Sequence, residues 1–303
     1  MLEERKVAPA LKLGIVPEHF STPIYQAAAP TGIFFQNGLN VEAINCPCGT
    51  GDMLQKLSAG ELDAAIIVTE GFVSAKLKGD QNVLAMGTYV ESPLCWAAST
   101  GKERDFESLE ELPNPPTFGI SRLGSGSHVM SYCLASKQGW DSETIAFQVL
   151  GDLAGLASGV KKSKADLFLW EKFTTKPLYD SGSLKYIGEI VAPWLSFIIV
   201  THRNFLRKSD SLNTLKKFMN LINTQVASFV SQPDTSCQEV SRRFNYKPED
   251  VASWWSGVKY PSNLHQIPLE KIEACASMLA PSSNATLPAS LISWFLEEVA
   301  EVE

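Results

Sequence analysis

FGISRLGSGSH, residues 118–128, decides how this chain is built. Residues 117–121 read as a short buried strand. Across residues 127–137 the apolar side chains Val129, Met130, Cys133 and Leu134 recur at helical spacing. The turn between them holds two glycines and two serines. Gly124 and Gly126 allow positive φ and a close approach of backbone to a bound group. Ser125 or Ser127 can cap a helix whose first N–H groups otherwise lack partners. A strand, a glycine–serine turn and a helix N-terminus together suit a negative or electron-rich group. The same stretch also reads as a plain strand-to-helix turn with a serine cap, so the surroundings have to decide.

Toward the N-terminus the pattern repeats. Residues 11–16 (LKLGIV), 41–45 and 64–68 (AAIIV) read as strands. Between them, Thr22 before Pro23 marks a helix start, with a capping hydroxyl followed by proline at the first helical position. The loop Cys46-Pro47-Cys48-Gly49-Thr50-Gly51-Asp52 leads into a helix that Gly60 ends. Thr69-Glu70-Gly71 opens another helix, and residues 82–89 and 94–98 are further strands. This β-α-β-α-β order with short connections predicts a largely parallel sheet with helices on both faces. Ligands bind such sheets beyond the carboxyl ends of the strands, where this chain places His19, Gly49, Thr50, Thr69 and Glu70.

Beyond residue 100 the pattern restarts. Residues 108–112 form a short helix broken by Pro113-Asn114-Pro115-Pro116, and the 118–128 unit follows. Strands are expected at 147–150, at 165–170 ending on Glu171, and at 184–190, with a helix through Val160 between the first two. Residues 193–200 give one more apolar strand. Then Leu212, Leu215, Phe218, Met219, Ile222, Val226 and Phe229 mark a long amphipathic helix. Shorter helices are expected at 236–244, 248–257, 269–279 and 288–299. No low-complexity linker separates the two modules, so a hinge is expected near 97–101 and 190–194.

The length of 303 residues allows two domains, and 45% hydrophobic with 19% charged residues is ordinary for a globular protein. A formal charge of −7 argues against a broad nucleic-acid-binding face. The six cysteines have no repeating spacing and read as free thiols of a reducing compartment. The N-terminal stretch MLEERKVAPALKLGIV lacks the apolar core of a signal peptide, and no apolar run reaches membrane-spanning length. The expectation is a cytoplasmic protein with no membrane or nucleic-acid partner, in which the sequon Asn284-Ala285-Thr286 goes unused.

Four stretches carry a family resemblance: KLGIVPEH at the start, GTGDMLQKLSAGELDAAIIVTEG, SLEELPNPPTFGISRLGSGSHVMSYCLA, and LGDLAGLASGVKKSKADLFLWEKFTTKP. Over residues 10 to 210 the chain resembles the bilobal solute-binding proteins of ABC transporters, in the nitrate, sulfonate and thiamine-precursor branch. The resemblance implies an α/β, type II periplasmic-binding-protein fold. Lobe one would comprise 1–98 plus 192–303, lobe two 99–191, and a small-molecule ligand would bind in the cleft between them. It also implies that helix N-termini of both lobes point into that cleft. Exported relatives carry signals, whereas certain enzymes of the same fold make the thiamine pyrimidine inside cells. The fungal ones have a CCCFC iron site, for which Cys46-Pro47-Cys48 supplies too few thiols.

The candidate ligand-binding residues are therefore His19, Gly49, Thr50, Thr69, Glu70, Ser121, Ser125, Gly126, Ser127, Trp170 and Glu171. His19 can donate or titrate near neutrality. Glu70 and Glu171 can accept from an amine or an aminopyrimidine edge, or serve as first-turn acids of helices. Trp170 beside Glu171 offers an indole for stacking, or packs in the core. No catalytic residue, metal or cofactor is assigned. Ser127 and His128 are adjacent with no strained nucleophile elbow, and the glycines match neither a dinucleotide fingerprint nor a phosphate-binding loop with its lysine. The expected function is reversible capture of a small polar or heteroaromatic metabolite, thiamine-precursor-like or sulfonate-like. The alternatives are an enzyme of thiamine-pyrimidine synthesis using His19 as donor or base, and a non-binding adaptor that works through its C-terminal helices.

Overall fold

A computed structural model describes residues 11–141, 143–280 and 285–302. The first ten residues and Asn284 of the sequon lie outside them. In chain order the elements begin β1 (Leu11–Ile15), α1 (Thr22–Ala27), α2 (Ile33–Gln36), β2 (Val41–Asn45), α3 (Thr50–Ala59), β3 (Ala64–Val68), α4 (Thr69–Leu77) and β4 (Val83–Val90). Then come β5 (Cys95–Gly101), β6 (Thr117–Ile120), α5 (Gly126–Gln138), β7 (Ala146–Val149), α6 (Leu153–Lys161), β8 (Leu167–Glu171), α7 (Lys172–Asp180) and β9 (Leu184–Val191). The chain ends with β10 (Phe197–His202), α8 (Arg203–Leu206), α9 (Ser211–Ser231), α10 (Pro233–Phe244), α11 (Pro248–Gly257), β11 (Gln266–Ile267), α12 (Leu269–Leu279) and β12 (Glu301–Val302).

Two five-stranded sheets form the two lobes, in the orders β2-β1-β3-β10-β4 and β7-β6-β8-β5-β9. Strands buried on both faces are mainly apolar: every residue of β3, β4, β8 and β10 is buried. The sheets repeat one plan. β1 pairs in parallel with β2 and β3, and β6 in parallel with β7 and β8. The fourth strand of each sheet, β10 or β5, runs antiparallel to both neighbours. These two reversed strands follow the passages between sheets, at residues 91–94 and 192–196. Each enters its new sheet from the edge where the parallel strands end. The sheets are therefore mostly parallel, with one opposed strand each.

Helix ends follow local chemistry. Gly60 and Gly139 take left-handed conformations, φ 75° and 70°, and close α3 and α5. Asp152 accepts the Gly155 N–H at 2.9 Å and starts α6. The long amphipathic helix α9 buries Leu215, Phe218, Met219, Ile222, Val226 and Phe229 on the side of the first sheet. Phe218 there meets Phe34, with ring centroids 5.6 Å apart. α12 packs on α4. Among the described residues no helix is long and apolar enough to cross a membrane.

The helix expected at 288–299 does not form. The segment instead holds a short turn at Ile292–Trp294 and another at 297–299, and between them the Leu296 N–H bonds the Ala85 carbonyl of β4 at 2.9 Å. Its apolar residues Trp294, Phe295 and Leu296 are consecutive, and all three are buried. An extended piece laid along the β4 edge can bury neighbours in that way, whereas one helix face cannot.

Candidate functional site

The carboxyl ends of the parallel strands in both sheets meet around one cleft. Its walls are Val16, Glu18, Gly49, Thr50, Val68 and Phe197 from the first lobe, with Leu94 at the passage between lobes. From the second come Trp96, Ser121, Ser125, Gly126, Ser127, Trp170 and Glu171. The cavity they enclose is small, about 40 Å³. Eight of the eleven residues expected from the sequence are therefore brought together, and His19, Thr69 and Glu70 are not among its walls.

The 118–128 turn divides its work among neighbours. Gly124 carries the positive φ, 79°. Gly126 instead provides the close approach, because a Cβ there would lie 2.8 Å from the Trp96 ring and 3.0 Å from Val68 of the other lobe. Ser125 is the cap, its Oγ accepting the His128 N–H at 3.4 Å. Ser127 lies inside the first turn of α5, where its Oγ accepts the Ser121 N–H at 3.1 Å and lies 3.0 Å from the Ser125 Oγ. Across the cleft, α3 begins at Thr50, whose Oγ1 accepts the Val68 N–H at 3.1 Å and ties the helix start to β3. Two helices of ten and thirteen residues thus open on the same space from opposite lobes.

Two carboxyls face this space. Glu171 ends β8 and caps α7, its Oε2 accepting the Thr174 N–H at 2.6 Å and the Thr174 hydroxyl at 2.9 Å. Burial pushes its pKa up to about 7, against those hydrogen bonds. Glu18 follows β1, and its Oε1 accepts the Trp170 indole N–H at 2.7 Å across the cleft. Burial, and then the charge of Glu171, push Glu18 up to about 8. Trp96 stands opposite Glu171 in the β5–β8 register. It is 5% exposed, and its indole N–H has no partner.

His19 is packed among Phe20, Phe173, Tyr246 and Trp254. Both ring nitrogens are enclosed without a hydrogen bond. Burial lowers its pKa to about 3, so the ring is neutral. Its Nε2 lies 3.8 Å from Glu171, too far for a hydrogen bond, and a neutral ring makes no ion pair. Thr69 and Glu70 serve the second passage between lobes. The Thr69 N–H bonds the Ser196 carbonyl at 3.0 Å, and Glu70 Oε2 accepts the Trp194 indole N–H at 2.9 Å. Because α4 starts directly at Thr69, these side chains turn away from the cleft.

Sequence reasoning missed Glu18 and Trp96. Glu18 had a signal: like Glu171, it is an acid just past a parallel strand. Trp96 had none, since its strand reads only as a buried run. Charged pairs bridge the lobes at the rim. Arg122 lies 3.3 Å from Asp52 and donates to Gln55 at 3.1 Å, while Lys247 pairs with Asp180 at 2.8 Å and Lys176 with Asp250 at 3.2 Å. Among the described residues no group of three or more His, Cys, Asp or Glu is placed to hold a metal ion. All six cysteines are free thiols.

Two lobes of this topology with a cleft between them define the periplasmic-binding-protein class of solute-binding folds. The solved structure of the Candida albicans CA3427 gene product matches with a TM-score of 0.83 and 30% identity, covering 97% of this chain and 96% of that one. The chain belongs to the family which that protein defines, whose members have the generic periplasmic binding protein fold. The sequence model of the Ca3427-like family matches residues 96–190, the second lobe's sheet. The alkanesulfonate-binding protein of Xanthomonas axonopodis pv. citri, bound to MOPS, is 13% identical with a TM-score of 0.73 over 97% of this chain and 99% of that one. A zinc-bound ligand-binding component of an ABC-type import system from Staphylococcus aureus is 14% identical with a TM-score of 0.71, over 97% and 96%. At those identities the likeness is one of fold. No curated protein sequence matches the chain.

Proposed function

We propose that this protein reversibly captures a small polar or heteroaromatic solute, sulfonate-like or thiamine-precursor-like, between its two lobes inside the cell. The lobe built on the β7-β6-β8-β5-β9 sheet would close on the lobe built on the β2-β1-β3-β10-β4 sheet. One observation carries this reading. A single cleft joins both lobes, and its walls hold helix starts, buried carboxyls and the unpartnered Trp96 N–H. A buried donor without a partner costs about 1–3 kcal/mol, which a solute acceptor would recover. The sulfonate-binding relatives of the same fold support a solute-binding role.

The expected result in a thermal-shift panel of thiamine, its pyrimidine and phosphate forms, taurine, other sulfonates and nitrate is at least one stabilising compound. At a hundred times its dissociation constant a ligand adds about 2.7 kcal/mol. That is a rise of several degrees for a chain of this size. Glu171→Gln and Ser127→Ala should weaken the effect. A shift that survives both substitutions at full strength would place the site elsewhere, and a silent panel would count against capture.

A further inference from the structure

The walls of the cleft are uneven in charge. Glu18 and Glu171 both line it, and among the described residues that line it there is no lysine, arginine or histidine. Two nearby cations are already engaged, and Lys78, whose Nζ approaches Gly124 of the turn, is not among the lining residues. Arg122 pairs with Asp52, and Lys172 pairs with Glu189 at 2.8 Å. A plain anion would meet two carboxyls and no opposing cation. The same walls also hold the first turns of α3 and α5 and the unpartnered Trp96 N–H, all of them donors, with Trp96 across from Glu171 in the strand register.

We propose that the cleft selects solutes that carry both an ammonium group and an acidic or acceptor group. The ammonium faces Glu18 and Glu171, and the acceptor faces Trp96 and the starts of α3 and α5. This rests on the solute-capture reading and deepens it. The two carboxyls are 6% and 4% exposed. Without a cation between them they favour the protonated form, and burial is the first cause for both. An arriving ammonium displaces protons to solvent, and the carboxylates accept its N–H groups. The groups around the pair do not supply that charge. His19 is held neutral by burial, and Tyr246, Tyr179 and Cys95 are all shifted upward by burial. Tyr25, near Glu18, lies under Arg243, which itself pairs with Glu239.

Calorimetric titration of the full chain with two matched pairs tests this: taurine against ethanesulfonate, and phosphoethanolamine against ethyl phosphate, at pH 6 and pH 8. The expected result is that the amino member of at least one pair binds tenfold or more tighter than its partner. Its affinity should rise with pH by up to about tenfold per unit for each proton released, with proton release visible as a dependence of heat on buffer. Glu18→Gln should reduce the pH rise to the part that Glu171 supplies, and the folded state of that variant is checked by its melting curve. An amino-free member that binds as tightly as its partner, or an affinity that falls with pH, overturns the ammonium assignment and leaves capture standing. If none of the four binds, the assignment is overturned. Capture then stands or falls on the wider thermal-shift panel.

Discussion

Trp194→Ala should cost this protein about 3–5 kcal/mol, the range for emptying a fully buried tryptophan site, with about 1–3 kcal/mol more from Glu70. Trp194 is 1% exposed and lies in the second passage between lobes. Its indole N–H is the hydrogen-bond donor recorded for Glu70 Oε2, and Glu70 Oε1 has no partner at all. Glu70 is fully buried, and burial pushes its pKa up to about 7. Trp194→Phe separates the two costs, because it keeps most of the apolar volume and removes only the donor. In a Glu70→Leu background the donor-dependent part should vanish, which a double-mutant cycle in urea would read. If Trp194→Ala stays within about 1 kcal/mol of the parent, the second passage is not the anchored connection described above.

Free of ligand, the protein should lose stability as pH rises from 6.5 to 8. Glu18, Glu70 and Glu171 have pKa values raised from 4.5 to about 8, 7 and 7. Between those limits each binds more protons folded than unfolded. Its contribution is complete below pH 4.5 and is lost as pH passes its folded value. Summed over the window, the loss is roughly 2–4 kcal/mol. The histidines act elsewhere. Burial lowers His19 to about 3 and His128 to about 4, so their contributions are present above pH 6.5 and fade as pH falls. Melting temperatures should therefore fall by several degrees between pH 6.5 and pH 8. Glu18→Gln and Glu171→Gln should each flatten the alkaline fall. A melting temperature that is level or rising across this window would contradict the burial of these carboxyls.

How much of this could be read in the sequence follows from the range of the forces involved. β3, β8 and β10 were legible because strands buried on both faces must be continuously apolar, and AAIIV, LFLW and FIIV are. The turn at 118–128 was legible because capping and positive φ are local. Which serine caps was not, since Ser127 is drawn instead to the Ser121 backbone by the packing of α5 on β6. Sequence placed both His19 and Thr69-Glu70 at strand ends, correctly as to the strands. The direction each side chain takes was set by partners far away in the chain. Trp254 and Tyr246 enclose His19, and Trp194 claims Glu70. Glu18 was passed over in favour of its neighbour because a turn gives no periodicity by which to tell in from out. The segment 288–299 failed for the same reason in reverse. Its apolar residues could be fitted to a helix, and only the open β4 edge decided against it.

The central claim is that a solute sits between Trp96, Trp170 and the α5 start, and Gly126 gives direct access to it. Gly126→Val would put side-chain atoms where a Cβ alone lies 2.8 Å from Trp96 and 3.0 Å from Val68, filling the cleft from within. Native mass spectrometry of freshly purified parent and Gly126→Val protein, both confirmed folded by circular dichroism, is the most direct measurement. A small bound mass is expected on the parent, released on denaturation and lost from the variant. A parent that carries no such mass and gains none from the solute panel, or a variant that carries the same mass to the same extent, would contradict the claim.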